Sequence, residues 1–318
     1  MIKTKKLISI IFSFRNEEKV IPELISRTVK VLSKINYSYE IIFINDNSDD
    51  GSLDILESNQ KKNKNIKIIN MSRRFGGTPC VLAGFRYAKG DALIYLDSDL
   101  QDPPELIPEL IQKWDDGFDV VHTTREKRRD ENIFKMWLTK KAYGMINFVS
   151  DIHIPKDTGD FKLYSRKVIN EILELNEFDP FLRGLSIWVG YKQTFIYYER
   201  EARFAGDTKY PLFSSINPYN EFLRGITSFS AMPLYLSLLL GLIVSVSAFG
   251  FLLYILISRI FFGYHLPGWP ALMVTMLFIG GMILFTIGVL GIYIGKIHQE
   301  IKSRPKYIVD NVSGFEEN

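Results

Sequence analysis

Two stretches in the C-terminal part of the chain, Gly225 to Ser258 and Ile260 to Gly295, contain no Asp, Glu, Lys or Arg. Each is longer than the ~20 apolar residues with which a helix crosses a hydrocarbon core ~30 Å thick, where a helix satisfies its own backbone hydrogen bonds. Two membrane spans are therefore expected, and a wholly soluble protein is ruled out. The mean hydropathy of +0.03 over 318 residues hides this division, because the chain before Gly225 mixes charged and apolar residues as a water-exposed domain does. A disulfide scaffold is excluded by the single cysteine, Cys80, which reads as a small buried hydrophobe.

The net charge of +3 is the small difference between 39 basic and 36 acidic residues, so it gives no argument for a nucleic-acid partner. Its distribution says more. Arg125, Lys127, Arg128, Arg129, Lys135, Lys140 and Lys141 crowd one stretch, and Lys296, Lys302, Arg304 and Lys306 follow the second apolar run. The loop between the expected spans carries only Arg259 and His265. By the positive-inside tendency, both termini face the cytoplasm and the protein is a multi-pass component of the cytoplasmic membrane. The expected layout is a cytoplasmic α/β domain over 1–211, amphipathic interface helices over 212–230, and spans over 231–258 and 270–296. An external loop covers 259–269 and a cytoplasmic tail 297–318. Lys3, Lys5 and Lys6 precede the apolar run Leu7 to Phe14 as in a signal peptide. The run is too short, and Arg15, Glu17 and Glu18 follow it, so a buried strand is expected instead.

Short β-branched runs recur at Leu7 to Phe14, Tyr39 to Asn45, Ile66 to Met71, Ala92 to Leu96 and Asp119 to Thr123, each followed by helical spacing. Runs as continuously apolar as Ile41 to Ile44 suit a sheet covered on both faces, and helical crossovers favour parallel neighbours. Pro103 and Pro104 after Asp102 predict a capped helix start, with Leu106, Ile107, Leu110, Ile111 and Trp114 as its buried stripe. A basic, aromatic helix is expected over Glu131 to Val149, followed by a Pro/Gly-rich segment from Ile154 to Asp160.

Ligands of an open parallel sheet bind beyond the carboxyl ends of its strands. Polar clusters stand at those ends: Arg15-Asn16-Glu17-Glu18, Asn45-Asp46-Asn47-Ser48 and Asp97-Ser98-Asp99-Leu100-Gln101-Asp102. Neither a G-x-G-x-x-G turn nor a Walker loop occurs. Asp97 and Asp99, two residues apart after an apolar strand, can converge on one ion. Hard oxygen ligands suit Mg2+ or Mn2+, which bind through one or two carboxylates plus substrate phosphates. An acidic turn capping the next helix is the bland alternative. Asp46 at a neighbouring strand end and Gln101 as a further oxygen ligand favour a metal-diphosphate site. The four histidines have no H-x-E or H-E-x-x-H spacing and give zinc chemistry no support.

Asn16-Glu17-Glu18, Asn45 to Ser48, Asp97 to Glu105 and Thr158-Gly159-Asp160-Phe161 resemble the motifs of family-2 glycosyltransferases with a GT-A fold. With the two apolar runs and the ending Arg304-Pro305-Lys306-Tyr307, the chain more narrowly resembles the polyprenyl-phosphate glycosyltransferases, a group that includes bactoprenol glucosyltransferases and dolichyl-phosphate mannose synthases. The resemblance implies a Rossmann-like, mostly parallel sheet domain followed by interface helices and two transmembrane helices. It implies that Asn16, Glu17, Asp46 and Asp97 bind the donor nucleotide, with Asp46 on the base. Asp97, Asp99 and Gln101 then hold the metal and diphosphate, and Asp160 lies near the reacting sugar, so that Asp99 and Asp160 are the catalytic candidates. Arg203 and Lys209 fall in a segment like the family's flexible loop near the diphosphate. Asn47 stands where the family commonly has Gly, and Ser98 where Ala is usual.

The implied reaction joins sugar C1 to a lipid phosphate, with inversion, as a nucleoside diphosphate leaves. Two anionic substrates brought together call for cations on the acceptor side, and Arg125, Lys140 and Lys141 are the candidates. The same basic stretch also suits an anionic lipid surface. The partners expected are a nucleotide sugar, UDP-glucose first, polyprenyl (undecaprenyl) phosphate and the membrane. No nucleic acid is expected, and a homo-oligomer is left open. A processive polysaccharide synthase shares the donor motifs but carries Q-x-x-R-W, which is missing from this sequence. A non-catalytic nucleotide-sugar sensor or a lipid flippase is the rival from another class; two spans make a poor lipid path, and a full acidic cluster favours an enzyme.

Overall fold

The computed structural model describes residues 5–127, 144, 147–148, 155, 158–175, 177–200, 204, 224–262 and 268–316. They divide into two units. The first joins residues up to 225, apart from a short stretch around 148–151, with 305–318, and the second is built on 226–304.

The first unit is an eight-stranded sheet of order β7-β5-β6-β4-β1-β2-β3-β8. Its strands are β1 (Leu7–Phe14), β2 (Ser38–Asn45), β3 (Ile66–Met71), β4 (Ala92–Tyr95), β5 (Val120–Lys127), β6 (Thr158–Ser165), β7 (Gln193–Glu199) and β8 (Val309–Ser313). The pairs β1/β2, β1/β4, β2/β3 and β5/β7 are parallel. Antiparallel pairing joins β6 to both β4 and β5, and β8 to β3. The helices are α1 (Ile21–Leu32), α2 (Ser52–Lys62), α3 (Gly77–Tyr87), α4 (Ile107–Asp115), α5 (Arg166–Glu174) and α6 (Leu182–Trp188).

Side-chain alternation along β1 sends Ile8, Ile10, Phe12 and Phe14 into one core with Leu24 of α1 and Leu110 of α4. It sends Ile11 into a second core with Cys80 and Phe85 of α3 and Val168 of α5. A sheet covered on both faces is what the unbroken apolar strands predict. Helix α3 lies close against the sheet at Gly84, where an added Cβ would stand 2.6 Å from Ile11 Cγ2 and 2.9 Å from Ile44 Cδ1. Gly84→Ala is therefore expected to cost about 1–3 kcal/mol through overpacking, read as a lowered unfolding temperature.

One expectation is corrected by the structure. The helix after Asp102 starts as a 3-10 turn over Pro104–Leu106 with no side-chain cap; the Asp102 carboxylate is drawn instead into a buried charge cluster described below. Of the segment Ile154 to Asp160, Thr158 to Asp160 are the first residues of β6. Most of the expected helix Glu131 to Val149, and of the interface segment before 224, lies outside the described residues.

The second unit contains α7 (Met232–Phe262) and α8 (Trp269–Ile301), which pack on each other. Both are long and apolar enough to cross a membrane over Met232–Ile255 and Leu272–Ile301. Their apolar residues, among them Leu238, Phe249, Leu277 and Leu284, are exposed, as on helices solvated by hydrocarbon rather than buried in a water-soluble core.

Candidate active site

Parallel pairing brings the loops after β1, β2, β3 and β4 to one edge of the sheet. Because β6 runs the other way, its first residues arrive at the same edge. Backbone strain collects there. Asn16, Asn47 and Leu100, which follow β1, β2 and β4, have φ of 54°, 55° and 57°, a region where Asn is the best tolerated non-glycine residue and where strain clusters at functional sites. Asn47 thus adopts the conformation for which Gly is the usual residue.

The first two loops clamp each other. The Asn16 side chain donates to Asp49 and accepts from the Asp49 N–H at 3.0 Å, and the Asn16 N–H donates to Ser48 Oγ at 3.0 Å. The Glu17 N–H donates to Ser52 Oγ at 2.9 Å, while its carbonyl receives the first N–H groups at the start of α1. Asp46 is 6 % exposed. Its carboxylate accepts the N–H groups of Phe75, at 2.6 Å, and Gly76, at 3.0 Å, so it organises the β3–α3 loop.

Acidic groups gather after β4. Tyr95 OH donates to Asp97 Oδ1 at 2.9 Å, and the Gln101 N–H to Asp99 Oδ1 at 3.2 Å. Burial, then the negative charges of Asp160, Asp102 and Asp99, push the Asp97 carboxyl up to about 7. A divalent cation between Asp97 and Asp99 would relieve that repulsion, and these oxygens are the ligands that Mg2+ and Mn2+ take. The residues therefore fit such an ion. Among the described residues no three His, Cys, Asp or Glu side chains form a closed cage, so its remaining ligands would come from substrate, water or the Gln101 amide.

Asp160 meets a residue that no sequence motif singles out. Arg183 grips both its oxygens, with Nε 2.7 Å from Oδ1 and Nη2 on Oδ2. Burial would raise this carboxyl, but Arg183, with Lys162 and Arg125 nearby, outweighs it and holds the group down at about 2. Lys162, 1 % exposed, donates to Ser186 Oγ at 2.8 Å, and burial lowers its amine to about 7. Lysine cannot grip two carboxylate oxygens in a fixed fork. Arg183→Lys is thus expected to lower kcat about tenfold while nucleotide affinity stays within about twofold; an equal loss in both would remove Arg183 from the reacting centre.

Asp102 is fully buried, and it orders the cations. Its Oδ1 accepts from Tyr198 OH and lies 3.6 Å from both Arg125 Nη2 and Arg200 Nε. Arg125 Nε donates to Tyr198 Oη at 3.2 Å, and an added Cβ at Gly159 would stand 3.1 Å from the Arg125 guanidinium. A buried carboxylate is tolerated only when paired, and here it turns Arg125 toward the start of β6. Asp102 could have been suspected as the third acid of its motif; Tyr198 and Arg200 carry no comparable signal. Lys140, Lys141, Arg203 and Lys209 lie outside the described residues.

The sequence pattern described as Glycosyl transferase family 2 matches residues 9–173, the span from β1 to α5 that carries every acidic residue of the site. The chain belongs to glycosyltransferase family 2. This glycosyltransferase is 42 % identical to an uncharacterized glycosyltransferase of Synechocystis sp., over 97 % of this chain and 96 % of that one. It is 39 % identical to the prophage bactoprenol glucosyl transferase homolog of Escherichia coli K12, over 96 % and 99 %. It is also 39 % identical to the bactoprenol glucosyl transferase of Shigella phage SfII, over 95 % and 97 %. These matches run through the acidic loops and both apolar helices alike.

Proposed function

We propose that this glycosyltransferase transfers a hexose, with glucose from UDP-glucose the first candidate, to undecaprenyl or another polyprenyl phosphate on the cytoplasmic face of the membrane. The product is a lipid-linked sugar donor for cell-envelope glycans. The observation that carries the reading is the gathering of Asp97, Asp99 and Asp160 at one sheet edge, with Arg183 on Asp160 and Arg125 beside Asp97 and Asp160. An acidic pair suits a metal diphosphate, and the neighbouring guanidinium groups suit a second anion. Full-length similarity to proteins named bactoprenol glucosyl transferase supports a polyprenyl phosphate as that anion.

In the proposed step a phosphate oxygen of the acceptor bonds to C1, the bond from C1 to the diphosphate oxygen breaks on the opposite face, and the nucleoside diphosphate departs with the electron pair. Asp97 and Asp99, with Gln101, would hold Mg2+ or Mn2+, whose charge screens the leaving diphosphate. Asp46, with Asn16 and Glu17 shaping its surroundings, holds the nucleotide; Arg203 and Lys209 are assigned to the diphosphate. Asp160 stays ionised under the grip of Arg183, so its part is to orient sugar hydroxyls and favour positive charge at C1 rather than to take a proton. A panel of UDP-glucose, UDP-galactose, UDP-N-acetylhexosamines and GDP-mannose against undecaprenyl phosphate tests the reading, and absence of transfer from every donor would reject it.

Connectivity supports the topology. The β7 strand precedes the two apolar helices and β8 follows them, yet both are strands of one sheet, so both ends of the hairpin connect to the same domain, as an even number of crossings requires. A tag inserted within 263–268 is expected to be labelled from outside the cytoplasm and tags at both termini are not; labelling of the C-terminus with a shielded loop would contradict two crossings.

A further inference from the structure

The tail beyond the second apolar helix is built into the donor edge of the sheet. Asn311 Oδ1 accepts from Asn70 Nδ2 at 2.8 Å, and Asn70 Oδ1 accepts from Asn45 Nδ2 at 3.0 Å, a ladder across β8, β3 and β2. Asn45 Oδ1 in turn accepts the Ser48 N–H at 2.9 Å, and Ser48 is the residue whose hydroxyl receives the Asn16 N–H. One residue before β8 begins, the Ile308 carbonyl accepts the Ser72 N–H at 3.0 Å, at the root of the loop whose Phe75 and Gly76 N–H groups hold Asp46. The tail is anchored independently at its far end, where Ser313 Oγ donates to Gln60 Oε1 at 2.7 Å and the Phe315 ring packs edge-on against Tyr87.

We infer that β8 is a working part of the nucleotide site, with Asn311 a positioning residue that sets the β2 loop through Asn70 and Asn45. The inference rests on the proposed function in taking this edge as the nucleotide subsite. Its consequence is an order of assembly: the donor site reaches its final geometry only when the chain has passed both apolar helices and returned to the sheet.

The test uses the full-length protein in phospholipid nanodiscs, with UDP and GDP as probes in the presence of Mn2+. Asn311 is exposed, so substitution there leaves the core intact. Asn311→Leu, which removes the acceptor for Asn70, is expected to raise the nucleotide Kd and the donor KM about fivefold, the worth of one hydrogen bond, with kcat at saturating donor and the acceptor KM unchanged. Asn311→Asp keeps an acceptor oxygen and is expected to stay within about twofold of the parent. Ser313→Ala loosens the same strand through Gln60 without touching the ladder and is expected to leave Kd alone. Unaltered Kd in Asn311→Leu, or equal losses in Asn311→Leu and Ser313→Ala, would overturn the inference while the proposed function stands. A parent protein that binds neither nucleotide would overturn both.

Discussion

Asp99→Asn is expected to lower sugar transfer by about a hundredfold or more, the scale on which electrostatic stabilisation of a leaving group is lost. The substitution conserves shape and removes one charge. It also removes one of the three carboxylates that press the Asp97 carboxyl upward, so thermal unfolding should be unchanged or raised even as turnover collapses. That opposition of signs separates a functional acid from a structural one, because a capping aspartate loses stability on the same exchange. Near-normal turnover in Asp99→Asn, with or without added Mg2+ or Mn2+, would remove the pair from the diphosphate.

The enzyme is expected to glycosylate polyprenyl phosphate and to leave the matching polyprenol at least about a hundredfold slower, the usual contribution of a general base. A phosphate monoester loses its second proton near pH 6 and attacks as the anion, whereas an alcohol must be deprotonated as it reacts. Asp160 cannot supply that help, since Arg183 occupies both its oxygens and holds its carboxyl at about 2. The alcohol also offers no charge to Arg125, which Tyr198 and Asp102 hold in place. Neutralising Lys140 and Lys141 together should weaken acceptor use at least tenfold, about 1.4 kcal/mol, with donor affinity unchanged. Equal rates on phosphate and alcohol, or joint loss of donor binding and acceptor use in the double variant, would overturn this division of the site.

Much of the sheet is legible in the sequence because its central strands announce themselves locally. Leu7 to Phe14 and Ile66 to Met71 match the expected strands residue for residue, and Ala92 to Leu96 ends one residue late. Buried parallel strands must be apolar on both faces, and few other elements are. The last strand has no such mark: Val309–Ser313 is a polar pentapeptide that becomes a strand because the edge of β3 offers an unpaired ladder. The Thr158-Gly159-Asp160 stretch carries no strand signal of its own, since Gly and Asp disfavour strands, and it is held extended by pairing with β5.

The candidate site divides along the same line. Composition and short-range pattern alone determined that the chain carries two apolar runs of membrane length, and that acids stand after successive apolar strands, because a charge-free run and a strand end are properties of adjacent residues. The partners of those acids were decided only by the tertiary structure. Asp160 and Arg183, or Asp102 with Arg125 and Arg200, meet because β6 reverses direction and β5 and β7 end beside it. Whether a carboxylate is held charged, as Asp160 is, or crowded toward neutrality, as Asp97 is, depends on burial and on charges distant in sequence but close in space. Local pattern encodes neither quantity.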